Sequence, residues 1–388
     1  MPELNRRTLL TSVGIASTVG STTQVSASFG MPPSPSWSVD LGSGALTTPV
    51  VSGNSGFTVG PSSVFSVNIK SGDLRWEFPV NIEGTGLTVP AVNEDLVFFG
   101  TEGQGIRALD RSNGKEVWEN PLNSVIEGVK QGYSHPVIAG DTILVVENGN
   151  PNSISRDGES AVRDRLYALD SSTGKVKWTY DAGIAWGLEH AHAPPVGISD
   201  GTVYLAANDV HAIDLSSGEA TWVSEAGSSS FKNNRILSPP IVTGNTVFLG
   251  GGYTGEVVAL NKSDGSLRWK KAPADETETW SAPTVIRDQV FVGAIGGSGL
   301  DRDSAPVVAL SASDGSTVWE STAALPSVYD PTVAPVGKGE GSGKLFFGNT
   351  ALNQNTGKKL YTFDRDTSSP TVANGRIYTG GSNLSKLK

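Results

Sequence analysis

Three of the four histidines in this 388-residue chain fall where they could act together. His190 and His192 lie two residues apart in Trp186-Gly-Leu-Glu189-His190-Ala-His192. On a strand, residues i and i+2 face one side. With His135 they would offer three imidazole nitrogens, with Glu189 or Asp330 as a carboxylate nearby, a donor set suited to a divalent metal. The same residues could equally serve as an ordinary polar rim. Tyr133, Trp186, Trp280 and Tyr329 add aromatic surface in the same class of position. Tyr133, His135, Trp186, His192, Trp280, Tyr329 and Asp330 are therefore the candidate ligand-binding set. The fourth histidine, His211, sits in an alternating apolar stretch and reads as structural. No nucleophile elbow, phosphate-binding loop or dinucleotide fingerprint is present.

These positions are set by a repeated framework. Trp76, Trp118, Trp178, Trp222, Trp269 and Trp319 each follow a glycine by four residues: Gly72, Gly114, Gly174, Gly218, Gly265 and Gly315. Tyr361 after Gly357 fills the seventh place. Upstream of each glycine stands a phrase such as ALDRSNG, ALDSSTG or ALNKSDG. The aromatic-to-aromatic steps are 42, 60, 44, 47, 50 and 42 residues. A period in the forties with strand patterning predicts propeller blades. A second landmark, a proline from Pro49 to Pro370, opens each unit, since proline can begin a strand but not continue a central ladder. An Asx side chain can cap the turn, and glycine takes its positive-φ position.

Seven units are complete between Pro49 and Tyr361, and an eighth begins at Pro370 but stops before its turn and Trp. Trp37 precedes the first proline, so an N-terminal strand around it is placed to complete the last unit. The reading is an all-β, eight-bladed propeller of four-stranded antiparallel blades over residues 37–388. In such a ring the loops leading into the first strands build one mouth of a central funnel. Thr47, Thr88, Ser134, Ser238, Ser281 and Ser368 bring hydroxyls there, either to satisfy backbone groups at strand starts or to form a polar rim for a ligand. Residues 147–165 and 296–306 lengthen two units and read as polar loops able to bind partners.

Composition narrows the functions further. The chain carries 29 basic and 39 acidic residues, a net charge of −10, which argues against a nucleic-acid partner. With no Cys there is no disulfide, thiolate nucleophile or lipid-bearing Cys. Arg6 and Arg7 precede a short, diluted apolar run and a small-residue site ending at Ala27. Residues 1–27 thus read as a twin-arginine-like export signal cleaved near Ala27, followed by a Pro/Ser-rich lead-in over 28–36. That run is too short to cross a bilayer. The expected mature protein is exported, extracellular or in the cell envelope, and without a transmembrane segment.

The phrase Ala-Leu-Asp-x-x-[Thr/Ser/Asp]-Gly-x-x-x-Trp resembles the repeat of the PQQ-binding-like, tryptophan-docking β-propeller family. That group includes the propeller lipoprotein of outer-membrane barrel assembly. The resemblance implies that the repeated Trp and Gly residues build blades and hold no quinone. It also implies that true quinoprotein dehydrogenases would add a vicinal cystine, calcium ligands and a catalytic Asp. None of these carries over to a matching position here. The expectation is a non-catalytic scaffold without cofactor, binding a protein or small ligand through its loops and funnel. The alternative is a PQQ-dependent or metal-assisted enzyme near His135, His190 and His192.

Overall fold

A computed structural model describes residues 34–42, 46–80, 88–101, 105–122, 132–148, 154–156, 159–186, 194–207, 209–225, 238–250, 256–273, 278–297, 305–323, 333–335, 343–347, 349–363, 370–373 and 376–387. They form eight antiparallel sheets, seven built from strands neighbouring in sequence with a four-stranded meander at their centre, and one that adds Pro35–Val39 to three strands within residues 371–387. Blade I shows the plan: Val50–Ser52, Ser55–Val59, Ser63–Asn68 and Leu74–Pro79, numbered outward from the axis. Val, Phe, Tyr and Leu dominate the two middle strands, which are buried on both faces, while the outermost strand is largely exposed. The innermost strands of neighbouring blades touch around the circle. Among the described residues no helix is long and apolar enough to cross a membrane.

The ring is closed by the two ends of the chain. Pro35–Val39 pairs antiparallel with Leu384–Leu387, with Trp37 opposite Lys386. It becomes the outermost strand of blade VIII, whose other strands are Thr371–Ala373, Arg376–Thr379 and Leu384–Leu387. Closure of this kind leaves no unpaired edge between first and last blades.

Apolar burial is divided into eight packets, one at each blade junction. A flat sheet with two apolar faces must be covered twice, and a ring does so with no cap. Each docking Trp lies on the turn of the next blade, not its own. Trp76 Nε1 donates to the carbonyl of Arg111 at 2.9 Å, and Trp118 Nε1 to that of Ser171 at 2.9 Å. The pattern continues through Trp178, Trp222, Trp269 and Trp319, and Trp37 donates from blade VIII back to Ile69 of blade I at 3.1 Å. The turn glycine must then satisfy two conditions. Gly174 has φ +68°, and a Cβ there would lie 2.5 Å from Trp118 Cε3. At the junction of blades VII and VIII, Tyr361 stands in the tryptophan's place. It packs with Phe363, Ile377 and Leu387, and Lys344 Nζ lies 5.2 Å from its ring centroid.

Three details differ from the sequence reading. In blade IV the first strand is Gly197–Ser199, and Val196 takes the place held by the landmark proline in blades I, II, III, V, VI and VIII, with Pro195 one residue before it; in blade VII Val333 takes that place, two residues after Pro331. Blades III and VI have extra short strands, Gly132–Tyr133 and Glu278–Trp280, that pair with the far ends of their second strands. Residues 147–165 are not simply a polar loop. Ile154–Arg156 pairs with Ala161–Glu159, and the third strand runs from Glu159 to Asp170. The backbone hydrogen bonds of this polar stretch are met by a hairpin instead of by solvent.

Candidate functional site

Meander order places the starts of the first and third strands, and the ends of the second and fourth, on one face of the ring. The funnel mouth opens there. Five hydroxyls at this mouth are buried and are hydrogen-bonded to backbone twelve residues onward. Thr47 Oγ1 accepts from Val59 N–H at 3.0 Å, Thr88 from Gly100 at 2.8 Å and Ser134 from Val146 at 2.9 Å. Ser238 accepts from Gly250 at 2.7 Å and Ser281 from Gly293 at 3.2 Å. Each meets an N–H of the second strand that lies beyond the reach of the short first strand, so that N–H is not left orphaned. These hydroxyls are committed to the scaffold and form no open polar rim.

Blade III carries the most elaborate chemistry of this face. His135 follows Ser134 and is half-buried; its Nδ1 accepts from the Val89 N–H of blade II at 2.9 Å. The acceptor role places the proton of a neutral ring on Nε2. Tyr133 is buried and lies opposite Glu147 in the sheet register. The Glu147 side chain is 3% exposed. Tyr167 OH donates to Glu147 Oε2 at 2.8 Å, while Glu147 Oε1 has no hydrogen-bond partner. Burial raises the Tyr167 pKa above the ordinary phenol value. The hydrogen bond to Tyr167, at 3.4 Å, raises that of Arg165.

Above this group the sheet continues outward. Asp164 lies opposite Asn148 at the level of the mouth, and the third strand begins five residues earlier at Glu159. Five residues of strand reach about 16 Å. The fourth strand rises beside it, with Trp186 opposite Ala161. Blade III therefore projects a three-stranded arm from the loop-bearing face. Arg156 pairs with Glu159 at its far end, and the two residues between them in the sequence, Asp-Gly, are of the kind that closes tight hairpins. Blade VI rises less, through its extra strand Glu278–Trp280.

The candidate residues fare unevenly. Tyr133 and His135 lie side by side at the mouth of blade III. Trp186 ends the arm's outer strand and Trp280 ends the extra strand of blade VI, so the backbone places both at the loop-bearing face. His190, His192, Tyr329, Asp330 and Ser368 lie outside the described residues, as do 149–153, 157–158 and 298–304 of the two insertions. Among the described residues no group of three or more His, Asp and Glu could hold a metal ion. His211 is at the junction of blades III and IV, 5% exposed, with Nδ1 3.0 Å from Tyr180 OH and Nε2 buried without a partner. Burial holds its pKa below the usual histidine value, against a weaker opposing pull from Asp209.

A quinone of the PQQ class is a flat tricarboxylate, so a site for it must offer cations or a metal. The described mouth residues Thr47, Thr88, Ser134, His135, Ser238 and Ser281 offer hydroxyls already spent on backbone and one imidazole accepting from an amide. They do not fit such a group. The sequence signals for blade III are the Asp-Gly pair at 157–158 and the lone acid in the apolar strand Thr142–Asn148.

The chain was compared with known proteins on this footing. The family described as outer membrane protein assembly factor BamB matches residues 15–160 and 127–303. Among curated proteins, the serine/threonine-protein kinase AfsK of Streptomyces griseus is 28% identical over 178 residues, 45% of this chain and 20% of the kinase. The outer membrane protein assembly factor BamB of Moranella endobia is 25% identical over 237 residues, 61% of this chain and 56% of that protein. The chain thus spans about a fifth and just over half of these two relatives. Among solved structures, BamB from Moraxella catarrhalis superposes with a TM-score of 0.63 at 17% identity, covering 92% of this chain and 97% of that one. The quinohemoprotein alcohol dehydrogenase of Comamonas testosteroni gives 0.64 at 14% identity, covering 90% and 73%. At these identities the structural likenesses show the fold.

Proposed function

The chain belongs to the outer membrane protein assembly factor BamB family of β-propellers, and from that premise we propose that it is an exported, non-catalytic scaffold that holds a protein partner against its loop-bearing face. The observation that carries this reading is where the fold departs from its own repeat. Seven turns follow one pattern, while blades III and VI are built upward, blade III by an arm of about 16 Å. Elaboration on a rigid scaffold is where binding residues concentrate. The hydroxyls at the mouth support the reading, because they are used by the scaffold itself. Arg6, Arg7 and the small-residue site at Ala27 support export through a folded-protein route. A small ligand at Tyr133 and His135 belongs to the same proposal as a second occupant of the mouth.

The test is site-specific photocrosslinking in the native envelope, with the photoreactive residue placed at Ser155 on the arm, Thr279 on blade VI, or Ser313 on the opposite face. The expected result is one adduct of common mass from Ser155 and Thr279 and none from Ser313. Equal labelling from all three positions overturns the reading. So does purified protein that binds PQQ saturably and reduces a dye with an alcohol donor. Replacing Arg6 and Arg7 by lysine is expected to leave folded protein inside the cell.

A further inference from the structure

The residue that follows the Asx of each turn phrase varies from blade to blade, and the variation has a structural consequence on the face opposite the mouth. Its carbonyl always receives the indole of the preceding blade. Its side chain differs. In blade II it is Arg111, whose guanidinium donates to the carbonyls of Asn93 at 2.9 Å and Glu94 at 3.3 Å in its own blade. It also crosses the junction to the carbonyl of Ser52 in blade I at 2.9 Å and lies 5.7 Å from the Phe57 ring centroid. In blade V the residue is Lys262. Its ammonium crosses to blade IV, donating to Ser199 Oγ at 2.9 Å and pairing with Asp200. Ser52 and Ser199 hold the same register place, each ending its first strand opposite the start of the second. Two basic side chains therefore bridge two junctions at the same place, Arg111 through a backbone carbonyl and Lys262 through side chains.

In blade IV the corresponding residue is Leu215, which has no donor to send across. A cleft of about 470 Å³ opens at that junction, lined by Ala139, Asp141, Lys177, Trp178, Gly201 and Leu215. Ala139 occupies the place of Ser52 in blade III, ending the first strand opposite Thr142. Trp178 is tied to the site by its Nε1 bond to the Leu215 carbonyl at 2.9 Å. Lys177 does not fill the cleft across the junction. Its ammonium folds onto the turn of its own blade, 2.7 Å from Asp141 Oδ1 and 2.9 Å from Thr142 Oγ1. The Asp141 side chain at the rim is 82% exposed. With Asp214 it outweighs the lysine charge, on a chain whose net charge is −10.

We propose that the cleft between blades III and IV is a receptor for an arginine side chain of a protein partner, whose guanidinium takes the place that Arg111 fills between blades I and II. The chemistry matches part by part. Backbone carbonyls at the end of a first strand accept from the planar donor fork. Trp178 and Leu215 cover its apolar face, and Asp141 supplies the counter-charge. This site shares no residue with the loop-bearing face, and neither reading depends on the other.

The probe is the peptide acetyl-Gly-Arg-Gly-amide, titrated against protein labelled with ¹⁵N-tryptophan, following the indole resonance of Trp178 as identified with Trp178→Phe. The citrulline peptide, equal in shape but uncharged, is the control. The arginine peptide is expected to give a saturable shift, with the citrulline peptide at least fivefold weaker. Leu215→Arg supplies the guanidinium from within; it is expected to fold with a melting temperature no lower than the parent and to weaken peptide binding at least tenfold. Asp141→Asn, which leaves the cleft open, is expected to weaken it at least threefold. Absence of a saturable shift, equal binding of the two peptides, or retained binding by folded Leu215→Arg overturns the proposal. Should Leu215→Arg not fold, unchanged binding by Asp141→Asn does the same.

Discussion

Replacing Gly174 by alanine separates two costs that the docking turn combines. The first is conformational: Gly174 has φ +68°, and an L-residue in the left-handed region costs about 1–2 kcal/mol. The second is steric: the new Cβ would meet Trp118 Cε3 at 2.5 Å and Cδ2 at 2.7 Å, so the indole must shift off its hydrogen bond to Ser171. Overpacking of that kind costs about 1–3 kcal/mol more. Gly201 is the internal control, with φ +75° and nothing within 4 Å of its missing Cβ. Gly201→Ala should therefore lose about 1–2 kcal/mol and Gly174→Ala about 2–5 kcal/mol. At roughly 2.1 cal/mol/K per residue over ~350 residues, each kcal/mol lowers the melting temperature by about 1.4 °C. Calorimetry should then find drops of about 1–3 °C and about 3–7 °C. The steric part must also vanish in a Trp118→Ala background, where the double-mutant cycle reads the coupling directly. Equal effects of the two glycine substitutions, or additivity in the cycle, would refute the claim that indole contact fixes glycine here.

Three other outcomes follow from particular residues. The turn carboxylates Asp110, Asp170, Asp214, Asp264 and Asp314 are held below the usual range, each by hydrogen bonds from the following serine or threonine groups, and Asp170 is lowered to about 2. Their stabilisation is present above the unfolded carboxylate pKa near 4 and is lost as pH falls through the folded values. Asp170→Asn should therefore melt with a smaller drop between pH 4 and pH 2 than the parent, and an equal drop would exclude this source. His211 is depressed by burial, so the unfolded chain binds its proton first and stability falls as pH drops below about 6.5. His211→Phe should flatten the melting profile between pH 7 and pH 5; an unchanged slope places the sensitivity elsewhere. Trp37→Phe removes the indole bond to Ile69 and should cost about 0.5–1.5 kcal/mol, or about 1–2 °C by calorimetry.

The blade count was legible because one short phrase recurs in seven of the eight blades, and its parts are local: an Asx (Ser311 in blade VI), a glycine and an aromatic within nine residues. The partner of each aromatic was less legible. Trp118 stands four residues after Gly114, yet its indole rests on Gly174, 56 residues further on, and only the ring geometry makes that choice. Position Val196 in blade IV shows the limit of a landmark: the hydrogen-bond register overrides the proline one residue before it. The arm of blade III was hidden by composition. Polar residues along Glu159–Arg165 suit a loop, and the hairpin shows itself mainly in Asp157-Gly158. Leu215 holds the same place in its turn phrase as Arg111 and Lys262, and only the reach of those two side chains to the preceding blade shows that this place faces a junction.

The pairing of Pro35–Val39 with Leu384–Leu387 also sets an order in time. The partner of the first strand is made about 345 residues later. At about 5–20 residues per second, synthesis separates the two by roughly 17–70 s. Throughout that interval Trp37 has no carbonyl to reach through a completed blade VIII, and the turn of blade I at Gly72 stands uncovered. The growing chain is an open spiral with two unsatisfied ends, and it becomes a ring in one final step. Interruption of synthesis anywhere before Leu384 therefore leaves the whole circle unclosed, not merely one blade short.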